Sequence, residues 1–149
     1  MSAPANAEAE LRRAAASLEV VRAQMEALAR QAETLQAALE DVLRARETLQ
    51  RTSEAGPGRE ALVPIGANSF VIGQLKDTER VIVGIGSDVA IEESVGRAIE
   101  RMDGRAKAID DAEQNLAQRM AQLEQQADAQ NRRVQGLYEK LQGAPGAPG

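Results

Sequence analysis

The sequence contains no cysteine and no histidine. Disulfide staples, thiol nucleophiles, Cys/His zinc sites and imidazole acid–base chemistry are thereby excluded. Tryptophan is missing as well, and Phe70 and Tyr138 are the only aromatic residues. Compact domains usually fill their cores with several large rings. Here the apolar share, 43% of residues, is carried by Ala, Leu, Val, Ile and Met. No stretch approaches the ~18 consecutive apolar residues of a membrane span. The opening run from Met1 to Glu8 lacks the basic and apolar regions of a signal peptide. A soluble, cytoplasmic protein without a membrane partner is the expectation. Charges of both signs, 18 basic and 23 acidic residues, are interspersed along the chain, for a net charge of −5. A nucleic-acid partner would require a basic face, so none is expected.

What the sequence has in abundance is helical periodicity. Positions spaced 3-4-3-4 read Leu11, Ala14, Leu18, Val21, Met25, Leu28, Ala32, Leu35, Leu39, Val42, Arg46, Leu49. The same spacing returns as Val95, Ile99, Met102, Ala106, Ile109, Glu113, Leu116, Met120, Leu123, Ala127, Gln130, Val134, Leu137, Leu141. Only Arg46, Glu113 and Gln130 interrupt these apolar rows, and polar residues on such a seam typically fix register. Sustained 3.5-residue spacing over many turns is the pattern of a coiled coil. Small or amide residues flank the first seam (Ala15, Ala29, Ala38, Ala45, Gln24, Gln31, Gln36). They let two helices approach closely and carry little of the charge code of a parallel dimer.

Helix 1 is expected over 9–55, ending where Gly56 can cap and Pro57 prevents continuation. Helix 2 is expected over 94–142, with Ser94 as its N-cap. Each should be about 60 Å or longer at 1.5 Å per residue. Their similar lengths around one intervening segment favour an antiparallel arrangement. The ends, 1–8 and the Gly/Pro/Ala run 143–149, cannot bury enough apolar surface to offset their ordering entropy and are expected to be disordered.

Residues 59–93 break the helical pattern. Four β-branched runs, Ala61–Ile65, Ser69–Leu75, Arg80–Ile85 and Val89–Glu92, are separated by turn material at 66–68, 76–79 and 86–88. Two β-hairpins between two coiled-coil helices, an α+β fold, is the resulting expectation. The strands are apolar on both faces, and a helical hairpin cannot cover both faces and the edges. Exposed edges of that kind aggregate, so strands from other subunits should complete an intersubunit platform. The residues expected to build it are Val63, Ile65, Phe70, Val71, Ile72, Val81, Ile82, Val83, Ile85, Val89 and Ile91.

The order coil, two hairpins, coil, with the runs Leu62-Val63-Pro64-Ile65-Gly66-Ala67-Asn68-Ser69-Phe70-Val71 and Val81-Ile82-Val83-Gly84-Ile85-Gly86-Ser87-Asp88-Val89-Ala90-Ile91-Glu92, resembles the alpha class of prefoldin subunits, closest to the archaeal type. Four strands match that class, since the beta class carries a single hairpin. The resemblance implies a hexamer of two alpha and four beta subunits, with a β-barrel platform and six coiled-coil tentacles. It also implies ATP-independent capture of unfolded client proteins and their transfer to a chaperonin. In an antiparallel coil both chain ends meet at one tip, where Leu11, Leu18, Val134, Leu137, Tyr138 and Leu141 would cluster and serve as the client-binding residues. The alternative is a scaffold subunit of the same build that assembles other complexes without holding clients.

Enzymatic activity is not expected. Gly84-Ile85-Gly86 lacks the third glycine, the lysine and the following helix of a nucleotide-binding loop. Asp77, Asp88, Asp110 and Asp111 do not follow the spacing of a metal loop. No cofactor and no metal are expected.

Overall fold

The computed structural model describes residues 3–143. The order of elements is α1 (Ala3–Ala55), β1 (Glu60–Gly66), β2 (Ser69–Gln74), β3 (Arg80–Gly86), β4 (Val89–Ser94) and α2 (Val95–Gln142). Two compact units divide the chain: Gln36–Asp111 holds both hairpins with the adjoining helical segments, and the other joins α1 up to Leu35 with α2 from Ala112 onward.

Helix α1 begins at Ala3, ahead of the start at residue 9 expected from the sequence, so 3–8 are helical and not a disordered tail. Ala3, Ala5, Ala7 and Ala9 have the highest helix propensity. Pro4 lies in the first turn, where its missing N–H has no helical partner to lose. Ala7 is buried and stands four residues before Leu11, so it extends the apolar row by one step. The expected C-terminal tail, 143–149, lies outside the described residues apart from Gly143.

Helix α1 ends as its sequence dictates. Gly56 takes φ 75° and its N–H donates to the Thr52 carbonyl at 3.2 Å, a left-handed cap, and Pro57 follows. At the start of α2 the Ser94 hydroxyl accepts from the Arg97 N–H at 3.2 Å.

In the unit that joins the two chain ends, Val21 and Leu28 of α1 pack with Leu123 of α2, and Met25, Leu116, Met120 and Ala127 close around them. The helices run antiparallel there. One flank brings Ala16–Gln24 against Gln126–Gln130, and the next reach of α1, Gln24–Gln31, meets Arg119–Gln126. The burial pattern follows the 3-4 rows residue by residue, with every seam position buried or half-buried.

In Gln36–Asp111, Val83 of β3 packs with Ala98 and Met102 of α2, and Val42, Ala45, Leu49 and Val81 complete the cluster. Arg46, the polar interruption of the first seam, forms an ion pair with Asp103 and donates to Gln50 Oε1 at 3.2 Å. The pair joins α1 to α2 at one register.

The hairpins are two separate antiparallel sheets, β1–β2 and β3–β4. Their registers repeat at an offset of twenty residues. Pro64 pairs with Phe70 and Gly66 with Ser69, leaving Ile65 bulged; Gly84 pairs with Ala90 and Gly86 with Val89, leaving Ile85 bulged. Each turn then places two residues at positive φ, Ala67 and Asn68 at 49° and 55°, and Ser87 and Asp88 at 48° and 60°. Two consecutive left-handed residues give the turn whose twist matches the flanking strands. Asn and Asp tolerate that region, whereas a β-branched residue does not.

What differs is how each hairpin is held. The second lies on its own helices: Glu93 accepts two bonds from Arg101, at 2.8 and 3.1 Å, and Arg105 donates to the Gly84 carbonyl. Asp77 shapes the corner leading into β3, accepting from the Glu79 and Arg80 N–H groups at 2.8 and 3.2 Å and from Arg80 Nε at 2.7 Å. The Arg101 guanidinium bonded to Glu93 holds that carboxyl below its ordinary range, and the Arg80 side chain, then the Glu79 N–H, does the same for Asp77.

A carboxyl whose folded pKa is depressed stabilises the fold above its ordinary pKa, and that contribution is lost as pH falls through the folded value. Protection of the β3–β4 amides, taken relative to the intrinsic exchange rate at each pH, should therefore fall in acid, below about pH 4. Glu93→Gln should already exchange faster at pH 7 and respond less to acid. Asn68→Val should cost about 1–2 kcal/mol of the first hairpin's stability, read from exchange of its amides.

Candidate assembly and binding surfaces

The first hairpin carries apolar side chains on both faces. Directly paired residues share a face, so Leu62, Pro64, Phe70 and Ile72 form one side and Val63 and Val71 the other. Leu62 is 64% exposed and Ile72 71%, while Val63 and Val71 are each 48% exposed. Neither side rests on a helix. Helical propensity and periodicity fold α1 and α2 onto each other, and their seam has no room for a second sheet.

The second hairpin has one covered face. Val83 is buried against α1 and α2, and Val81 and Ile91 are half-buried. These three therefore have partners within the chain, whereas Ile82, Ile85 and Val89 remain exposed with the first hairpin's Val63, Ile65, Phe70, Val71 and Ile72. Val81-Ile82-Val83 lacks polar alternation because its inner face meets helices and its outer face is left apolar. One further exposed apolar residue, Leu62, was not among those expected from the sequence. Its place opposite Ile72 in the ladder is the signal that finds it.

Contiguous exposed apolar surface marks an interaction site. The strand edges add unpaired N–H and C=O groups, the template for pairing with another chain.

The second surface lies where the chain ends meet. Leu18 is buried there, Leu11, Val134, Leu137 and Leu141 are half-buried, and Tyr138 is 54% exposed. The Tyr138 hydroxyl accepts from Gln142 Nε2 at 2.9 Å, which holds the ring along the last turn of α2. The Gly143 N–H donates to the Glu139 carbonyl at 2.7 Å and closes that turn. Intact, this end presents Tyr138 and the rims of four aliphatic side chains. Fraying by one turn would uncover the rest.

Among the described residues, no group of three or more Cys, His, Asp or Glu is placed to hold a metal, and no helix is long and apolar enough to cross a membrane.

A long helix, two hairpins with exposed apolar residues and a returning helix make a chain whose open surface is of the kind that marks an interaction site. Residues 21–140 match the family model for prefoldin subunits, and the chain belongs to the prefoldin family. It is similar to prefoldin subunit alpha of Methanopyrus kandleri, 44% identical over 61 residues, which is 41% of this chain and 39% of that relative. Prefoldin subunit alpha of Pyrococcus horikoshii is 37% identical over 81 residues, covering 54% of this chain and 55% of the relative. The chain thus spans about half the length of the curated relatives it matches. Among solved structures, a chain of filamentous PFD from Methanocaldococcus jannaschii, determined by cryo-EM, superposes with a TM-score of 0.69 at 22% identity. That match covers 76% of this chain and 93% of the other, and it shows a shared fold.

Replacing Phe70 and Ile72 by Asp should leave the helical circular-dichroism signal intact while the chain no longer enters its complex. Native mass spectrometry reads the result, and an unchanged complex would show that the first hairpin is not the assembly surface.

Proposed function

We propose that the chain is a subunit of an ATP-independent cytoplasmic chaperone that holds non-native proteins, without enzymatic activity of its own. Membership of the prefoldin family supports this reading, and the hairpin with both faces exposed is the observation that carries the assembly part of it. Beta-type prefoldin subunits supply the covering strands, in a hexamer of two alpha and four beta chains. The coil end formed by Leu11, Leu18, Val134, Leu137, Tyr138 and Leu141 contacts the client, which then passes to a chaperonin.

Physical chemistry favours such a design for clients without fixed shape. Several weak contacts around one client raise overall affinity by orders of magnitude without any new contact. Each can let go separately, so release needs no nucleotide.

Capture of the tagged chain from its own cells, followed by native mass spectrometry, should return two copies with four of a smaller coiled-coil protein. A homo-oligomer, or unrelated partners together with failure to suppress aggregation, would favour the scaffold role instead. Within the complex, replacing Leu137, Tyr138 and Leu141 by Ser should abolish suppression of client aggregation at unchanged mass. Full suppression by that variant would remove the coil end from the mechanism.

A further inference from the structure

One flank of the coil in the unit that joins the two chain ends carries a groove the sequence rows did not single out. Its first reach is a cavity of about 560 Å³ bounded by Ala16, Val20 and Gln24 of α1 and by Gln126, Ala129 and Gln130 of α2. A second reach of about 390 Å³ shares Gln24 and Gln126 with the first and continues to Gln31, Gln122 and Arg119. The two are open depressions that adjoin at Gln24 and Gln126 along one flank of the coil.

Its chemistry departs from that of the rest of the surface. Charged residues make up 28% of the chain, yet the first reach has none and the second has only Arg119. Five glutamines, Gln24, Gln31, Gln122, Gln126 and Gln130, line it instead. None of their side chains is hydrogen-bonded to another described residue, whereas those of Gln50 and Gln142 both are. Val20 is 58% exposed beside this row, among Ala16 and Ala129, which leave space around it.

A primary amide offers two donors and an acceptor, the complement of a peptide unit's own N–H and C=O. The fifteen residue steps of α1 from Ala16 to Gln31 span about 22 Å. An extended chain at about 3.3 Å per residue covers that distance in six or seven residues. A third helix from a second copy is a poorer occupant. It would need an apolar stripe, and on the described helices only Val20, Leu43 and Tyr138 are large apolar residues that stand exposed.

We propose that this glutamine-lined flank is a second client-binding surface, a track that holds an extended, uncharged stretch of unfolded polypeptide by its backbone. The track rests on the chaperone reading above. It differs from the coil end in what it recognises: the end takes apolar side chains, the track takes the main chain.

The test uses the intact complex isolated from its own cells, with a photoreactive residue introduced singly at position 24, 126 or, on the other flank of α1, 22. The probes are a fluorescent ten-residue peptide of Ala, Ser, Val and Asn and the same peptide with every second backbone nitrogen methylated. Cross-linking should be at least about tenfold stronger from 24 and 126 than from 22, and methylation should reduce it to the level of 22. Equal labelling from all three positions, insensitivity to methylation, or cross-links to a second copy of this chain would each overturn the track. In parallel, Ala16→Glu with Ala129→Glu, both at exposed positions, should weaken peptide labelling from 24 at unchanged mass and melting temperature; undiminished labelling would overturn the track. Aggregation assays separate the two readings. If the unaltered complex suppresses aggregation but the peptide gives no labelling above position 22, the track fails and the chaperone reading stands. Absence of suppression by the unaltered complex removes both.

Discussion

A two-stranded ribbon with apolar residues on both faces cannot be stable in water by itself, and the first hairpin is such a ribbon. Burying an exposed Ile or Phe side chain is worth about 1.5–3 kcal/mol, and Phe70 and Ile72 stand next to Leu62 with nothing of their own chain over them. The helices' apolar rows are spent on each other and, at Val42, Leu49 and Met102, on Val81 and Val83 of the second hairpin. Family membership is consistent with that constraint, but the constraint stands on the exposure of these residues alone.

The two hairpins share a register, a bulge and a turn, yet one is docked and the other is free. The difference lies in a few residues. Glu93 faces Arg101, and Arg105 reaches the Gly84 carbonyl, so β3–β4 is fastened to α2. The position of the first hairpin that corresponds to Glu93 is Gly73, which offers no carboxylate. The same register and turn therefore serve one strand pair fastened to α2 and one whose apolar side chains stay exposed.

Much of this was readable from residue order. Every residue of the seam rows is buried or half-buried, although Ala98, fully buried beneath the second hairpin, lies off the row, and the strand boundaries fall within one or two residues of the β-branched runs. Periodicity specifies which face of a helix is inward, and Gly56, Pro57 and Ser94 specify where helices stop and start. The start of α1 was less legible, since Pro4 and the small residues around it resemble a tail until Ala7 is seen to continue the apolar row. Val83 was grouped with the platform residues because a run of Val and Ile does not say which face meets its own helices. Gln24 and Gln31 beside the first seam were visible, but only the antiparallel pairing shows that they stand along one flank with Gln122 and Gln126 of α2.

The two-residue turns also set a clock. Every contact within a hairpin is local in sequence, so each ribbon can close in about 1–10 μs. The Arg46–Asp103 pair joins residues 57 positions apart, a far longer excursion for the chain. The exposed Leu62, Phe70 and Ile72 can thus meet in a transient ribbon long before the helices join, and whatever contacts that ribbon first, in the unfinished chain or outside it, has first claim on its apolar surface.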